Sequence, residues 1–175
     1  MRVVFLDVES NKKIYREYNG GYGTSFNVGS SLLGKTLTLL RTEREEFPFM
    51  PYAYGATIFK NNGHDVSVEK NTMPDADLVF LHGSMPNHSY EKKYLKKLKE
   101  KGVKVGVIGP FPSSMPELFI EDAAFVIIGE PEEAFIKIAK NGNIPSGKFY
   151  SNPIQNLDEL PFPDWSLFPI NKFSY

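Results

Sequence analysis

The sequence predicts an α/β protein built on one parallel β-sheet that helices cover on both faces. Apolar segments without polar alternation, such as residues 78–81 and 125–128, are typical of strands buried on both sides. Amphipathic segments that end at glycine lie between such strands, as at residues 90–101, which Gly102 follows. This alternation indicates β–α–β units, and their strands run parallel.

The strands are predicted from apolar and β-branched residues bounded by turn signals. The first opens the chain, the second follows a glycine turn, and the other three are mostly apolar. They lie at residues 3–8, 66–68, 78–81, 103–108 and 125–128. Five such strands joined by helices predict a flavodoxin-like (Rossmann-like) doubly wound sheet with strand order 2-1-3-4-5.

The helices are predicted from apolar residues at helical spacing and from the residues that begin and end them. Four or five are expected, four of them at residues 31–45, 51–60, 90–101 and 131–140. Pro51 suits a first helical turn, Gly63 ends that helix, and Ser89 is the expected N-cap of the third. We expect one apolar face of the first helix to pack on the sheet. This face comprises Leu32, Leu33, Leu37 and Leu40.

Two stretches do not follow this alternation. Residues 9–27 are polar and glycine-rich, and a loop of this length is usually either functional or poorly ordered. After residue 142 the composition changes, because five of the 13 prolines lie there and interrupt an apolar stretch. We therefore predict an α/β domain at residues 1–142 and a proline-rich C-terminal arm at residues 143–175. The arm is either a strap around its own domain or a docking segment for another one.

The composition excludes several kinds of chemistry. The 175 residues include no cysteine, which removes disulfides, thiol nucleophiles and cysteine-ligated metal clusters from this chain. A net charge of −1 provides no broad basic field for nucleic acid. No apolar run approaches the roughly 20 residues of a membrane helix, and the first residues lack the features of a signal peptide. We expect a cytoplasmic protein with no nucleic-acid or membrane partner.

Residues 29–36 match the phosphate-loop pattern G-x-x-x-x-G-K-[ST]. The pattern binds nucleotides when it directly follows a buried strand, but residues 24–28 form a poor strand. The apolar run at residues 78–81 leads into His82 and offers no aspartate for a magnesium ion. We therefore favour an ordinary helix start and keep a nucleotide-binding protein as an alternative.

Other polar residues fit ordinary surface roles. His64 lies in a turn that enters a strand, and the lysines of residues 92–101 are typical of a solvated helix face. Asp7 and Glu9 resemble the acidic cluster of a phospho-receiver. A receiver, however, needs an aspartate and a lysine where this chain has His82 and the pair Gly129-Glu130.

The candidate site lies where the strands end. Open α/β sheets bind ligands at the carboxyl ends of their strands, and small residues there allow a ligand to approach the backbone. His82 and His88 flank one such loop. An alternative for the glycines is that they only form tight turns. The candidate residues are Glu9, Ser10, Gly83, Ser84, Met85, Gly109, Pro110, Phe111, Gly129 and Glu130.

Four segments together resemble the cobalamin-binding-like N-terminal domain of radical S-adenosylmethionine (Fe-S oxidoreductase) proteins. Residues 51–66 end in Gly-His-Asp-Val, as in the "GH[DE]V" passage of that family. Residues 107–112 resemble its "GGPH" loop, and residues 125–132 resemble its "D-x-V-x-x-G-E-G-E" strand and turn. Residues 157–165, LDELPFPDW, match its "L-[DE]-x-L-P-x-P-D-[WF]" segment, which joins this domain to the radical domain.

The resemblance implies that the candidate residues hold cobalamin, with its nucleotide tail between the first and third strands. In the methionine-synthase type of domain a histidine after the first strand binds cobalt, but this chain has Glu9 there. A carboxylate suits hard cations better than the cobalt of a corrin. Cobalamin would therefore bind without a histidine below the metal.

The resemblance also implies a partner, the radical S-adenosylmethionine domain of the parent protein. The iron–sulfur cluster and S-adenosylmethionine belong to that domain, since this chain has no thiolate ligands. We expect the chain to be the N-terminal, non-catalytic domain of a radical S-adenosylmethionine oxidoreductase or methyltransferase. The alternative within the same family is a degenerate scaffold that binds no cofactor.

Overall fold

The computed structural model describes residues 1–10, 29–42 and 49–168. Its strands are β1 (Arg2–Asp7), β2 (Asp65–Lys70), β3 (Leu78–His82), β4 (Lys104–Ile108), β5 (Phe125–Ile128) and β6 (Gly147–Tyr150). Its α-helices are α1 (Leu32–Thr42), α2 (Met50–Asn61), α3 (His88–Glu100), α4 (Pro110–Ser114) and α5 (Glu132–Asn141). Short 3₁₀ turns follow at Pro116–Leu118, Leu157–Glu159 and Trp165–Leu167.

The strands form one parallel sheet in the order β2-β1-β3-β4-β5-β6, which confirms the α/β class. The predicted count of five strands is wrong, because β6 pairs with β5 and extends the order by one strand. β6 lies within residues 143–175, so part of the predicted arm belongs to the sheet. It was missed because an edge strand is only half-buried: Lys148 and Tyr150 are exposed, and no continuous apolar run marks it.

Alternation along the strands divides the core into two layers. Val3 and Phe5 of β1 face α2 and α5, while Val4 and Leu6 face α3. The first layer is rich in aromatic rings, and Phe5 stacks on Phe80 of β3 with ring centroids 5.2 Å apart. Helices on both faces make the sheet doubly wound, as predicted.

Two predictions about helix ends and faces are wrong. α3 begins at His88 after Asn87, so Ser89 lies inside the helix and is not its N-cap. The leucine face of α1 does not pack on the sheet. Leu32 is 84% exposed, Leu33 70% and Leu37 44%, and nothing is described of the Leu40 side chain. Helical spacing identified an apolar face but could not show whether the sheet reaches it.

The described part of the arm lies along α2. Asp164 accepts a hydrogen bond from Lys60 Nζ at 2.5 Å, and its backbone N–H donates to Thr57 Oγ1 at 2.7 Å. Leu160, Leu167 and Phe168 pack against the aromatic layer. To residue 168 the arm is therefore a strap on its own domain.

Candidate functional site

The carboxyl edge of the sheet, where its strands end, contains the switch point between β1 and β3. Helix α2 packs on one face of the sheet, and α3, which follows β3, packs on the other. In doubly wound sheets this divergence opens a crevice, and ligands bind in it. The question for this protein is what occupies that position.

A buried carboxylate organises the α3 side of the switch point. Glu91 is fully buried in the first turn of α3 and accepts bonds from Ser84 N–H (2.8 Å) and Ser84 Oγ (2.6 Å). Asn87 Nδ2 donates to the same carboxylate at 3.3 Å and to Val8 O, just after β1, at 2.9 Å. We call Ser84, Asn87 and Glu91 the Glu91 network. It ties the loop after β3 to the end of β1.

A tyrosine bridges the same two strands from the α2 side. The Tyr52 hydroxyl donates to Leu6 O at 2.7 Å and accepts from His82 N–H at 2.7 Å. Its neighbour Phe49 packs over the His82 imidazole with ring centroids 4.2 Å apart, and His82 is only 3% exposed. Side chains of the protein itself therefore join β1 to β3 on both faces of the sheet.

Protein atoms also account for the candidate glycines. A Cβ on Gly83 would lie 2.5 Å from Pro112 Cγ, and one on Gly109 would lie 2.8 Å from the His82 ring. Gly129 approaches the carbonyl of Ser151, so that a Cβ would lie 2.5 Å from its oxygen. Gly109 and Gly129 also have φ values of 124° and 99°, which favour glycine. The tight packing of turns explains these residues without a ligand.

The remaining candidates divide into engaged and exposed groups. Glu9 forms an ion pair with Lys70 (2.8 Å) at the end of β2, and its N–H donates to Asn71 Oδ1 (2.8 Å). Ser10, the next residue, is half-buried, and Phe111 is half-buried against the core layer on the α3 face of the sheet. The candidate side chains that face solvent belong to Met85, Pro110 and Glu130. Within the part of the chain that the structure describes, the predicted set is thus spread along the edge and not gathered around one cavity.

The start of α5 carries three acidic residues, Glu130 just before the helix and Glu132 and Glu133 in its first turn. This is a favourable place for them because a helix N-terminus is electropositive. Burial raises the pKa of Glu132, and nearby Glu130 raises it further. Hydrogen bonds from Lys137 and from the Asn152 N–H lower the pKa of Glu133. Within the described residues, His, Asp and Glu side chains nowhere form a group of three that could hold a metal ion.

Among the described residues, protein side chains lie where the nucleotide tail of cobalamin is expected. A nucleotide tail between β1 and β3 would have to displace the Glu91 network, since Ser84 is fully buried and both its N–H and its hydroxyl bond Glu91. An open groove of about 370 Å³ does exist, but it lies between α5 and β6, away from the switch point. Its lining residues are Lys137, Ile138, Asn141, Asn143, Ile144, Pro145 and Phe149.

The phosphate-loop motif forms a capped helix start. Helix α1 begins at Leu32, inside the motif, and the Gly34 N–H donates to Ser31 Oγ at 3.0 Å. The Lys35 N–H donates to Ser31 O at 2.9 Å. Two amides that a phosphate loop would point at its ligand are therefore already used. Residues 24–28, predicted to be a poor strand, lie outside the described residues.

Sequence reasoning missed the residues that bridge the switch point. Nothing in the sequence distinguishes Phe49 and Tyr52 from the many other aromatic residues. Glu91 lies in a helix whose other charges are mostly lysines. The only signal for it was its position, a lone acid in the first turn of that helix.

Comparisons with protein-family models and with curated protein sequences found no match for this chain. Among its described helices, none is both long and apolar enough to span a membrane. The assignment of function therefore depends on the geometry of the site and on the resemblance of the four segments.

Proposed function

We propose that this chain is the non-catalytic α/β domain of a radical S-adenosylmethionine protein and serves as a structural partner of the radical domain. The observation that carries the proposal is the bridged switch point. Tyr52 and Asn87 bond the carbonyls of Leu6 and Val8, and Glu91 bonds Ser84. A domain whose own side chains bridge the switch point suits a scaffold better than a cofactor carrier.

Two further features support a role beside another domain. Met50 and Met85 expose 42% and 45% of their surface near the carboxyl edge, and flexible methionines suit a contact surface. The segment at residues 157–165, which resembles the connection to a radical domain, is anchored to α2 through Asp164. Such anchoring would hold that connection in a fixed place on the scaffold.

The second candidate function is the cobalamin-holding domain that the resemblance implies. Its support is the doubly wound topology with a switch point at β1 and β3, where ligands of such folds bind. Met85, Pro110 and Glu130 would meet the cofactor at the exposed rim, and Ser84 would take part only after leaving Glu91. Glu9, which stands where the methionine-synthase type of domain has its histidine, forms an ion pair with Lys70. This candidate would therefore hold cobalamin without a histidine ligand.

Retention of hydroxocobalamin distinguishes the two functions. The chain is mixed with excess hydroxocobalamin, passed through a desalting column and examined by its visible spectrum. The scaffold proposal expects complete separation of corrin from protein. Stoichiometric co-elution would contradict it, and co-elution that Met85→Glu abolishes would assign the corrin to the carboxyl edge. Leu157→Glu is the matched control, since Leu157 is 70% exposed in the arm.

A further inference from the structure

The sheet ends at β6 with one row of backbone groups facing outward. The Gly147 N–H donates to Ala124 O and the Ser151 N–H donates to Ile128 O, both towards β5. In a parallel ladder alternate residues bond the same neighbour, so Phe149 also faces β5. The N–H and C=O groups of Lys148 and Tyr150 therefore point away from the sheet. No described residue makes a hydrogen bond to them.

The opposite edge of the sheet is protected in a way that β6 is not. In β2, Asp65, Glu69 and Lys70 place charges along the edge, a common device against strand addition. In β6 the only charge is Lys148, and Glu117 draws its ammonium aside at 2.6 Å. Tyr150 is 71% exposed. Residues 1–10, 29–42 and 49–168 thus leave the β6 edge available as a template for another strand.

We propose that a second copy of this chain adds to this edge, with β6 pairing antiparallel to β6 of its twin. A twofold axis at Phe149 would place Lys148 opposite Tyr150 of the other copy, and the reverse. The outward groups of these residues would then form four backbone hydrogen bonds and join two six-stranded sheets into one of twelve strands. The edge is self-complementary, which is what a symmetric dimer requires.

Side chains favour this occupant as well. Each Lys148 would lie beside an exposed tyrosine ring, a pairing of cation and aromatic that strands tolerate well. On the other face of the strand, Phe149 lines the groove beside α5. In the dimer it would lie opposite Phe149 of the second copy, so the apolar walls of the two grooves would meet. Ile144 and Pro145 extend these walls. A single twofold arrangement would therefore pair the outward backbone groups and cover the groove beside α5.

Amide hydrogen exchange of the full chain at low and high protein concentration tests the proposal. At high concentration, where sedimentation velocity should detect dimers, the Lys148 and Tyr150 amides should gain protection. The Phe149 and Ser151 amides, which bond β5, should be protected at every concentration. A chain that stays monomeric to millimolar concentration would overturn the proposal. So would a dimer in which the Lys148 and Tyr150 amides still exchange freely.

Substitutions at Tyr150 sharpen the test. Tyr150→Pro removes an outward donor without touching the β5 ladder and should abolish dimers. Should that variant fail to fold, Tyr150→Lys is the alternative. It places a lysine opposite Lys148 of the other copy at both pairs of the dimer and should weaken association about tenfold. Tyr150→Glu places a carboxylate opposite Lys148 and should preserve it. Phe162→Lys, at a residue 96% exposed in the arm, is the control. Equal association of the Lys and Glu variants would refute the pairing.

Discussion

At the scale of single residues, the closed switch point depends on a buried carboxylate with a complete set of donors. Burying a charge is costly unless hydrogen bonds replace its water. Glu91 has two donors from Ser84 and one from Asn87, and it lies in the first turn of α3, where the helix dipole favours an anion. The sequence did not indicate that these residues form a network, because Glu91 lies in a helix rich in lysine.

Glu91→Gln should therefore destabilise the fold. The amide would present an N–H₂ group to donors that need an acceptor, and hydrogen bonds to a charged group contribute about 1.5–3 kcal/mol. We expect urea denaturation to give a free energy of unfolding lower by about 2 kcal/mol. Glu100→Gln at the exposed end of α3 should change it by less than about 0.5 kcal/mol. Equal effects of the two substitutions would argue against the network.

Gly83→Ala tests whether this glycine serves packing or a ligand. The new methyl carbon would lie 2.5 Å from Pro112 Cγ and 3.0 Å from Phe119 Cζ. Overpacking of this kind costs about 1–3 kcal/mol, and the loss should appear with no ligand present. The measurement is again urea unfolding, with Lys93→Ala on the exposed face of α3 as control. If the Gly83→Ala protein were as stable as the unchanged protein, packing would not explain this glycine, and a role in ligand binding would be favoured.

At the scale of elements, the arm is fixed to α2 by one acidic side chain. The Lys60 ammonium, then Ser166 through its hydrogen bonds, holds the pKa of Asp164 well below its ordinary 3.8. A carboxyl group with a depressed pKa stabilises the folded arm above 3.8, and this contribution is lost as pH falls through the folded-state value.

Fluorescence of Trp165, the only tryptophan, should report this loss. We expect its emission to change below about pH 3.8, the ordinary pKa of Asp164, as the arm loosens. Asp164→Asn should loosen the arm at neutral pH and remove this transition. Asp158→Asn, on an exposed 3₁₀ turn, should leave it unchanged. The opposite ranking of the two variants would mean that apolar packing, not Asp164, holds the arm.

The sequence predicted the buried strands well but did not predict every strand and helix face. Buried strands such as β3 and β5 were predicted because burial on both faces produces apolar runs. β6 was not predicted, because it has four residues, is only half-buried and contains no continuous apolar run. The exposed leucines of α1 show a related limit. An apolar helix face can be identified in a sequence, but the surface that packs against it cannot.

At the scale of the whole molecule, the strand order places the candidate site at the carboxyl edge of the sheet. The side-chain contacts there bridge β1 and β3. The sequence predicted which loops meet at the carboxyl edge, since parallel strands end on one side. It could not predict that Tyr52 and Asn87 would bond the end of β1, because these contacts join residues 46 and 79 positions apart. The cobalamin prediction, based on a resemblance, remains a prediction beside the scaffold proposal.

The amide of Ser84 tests the central claim most directly, because its exchange reports whether the Glu91 network holds when a corrin is offered. Hydrogen exchange is followed by NMR with and without a tenfold excess of hydroxocobalamin. A scaffold with a filled switch point predicts a strongly protected Ser84 amide whose exchange rate and chemical shift do not change. Loss of that protection on addition of the corrin, with a shift that saturates, would mean that the crevice opens for the cofactor and would contradict the scaffold function.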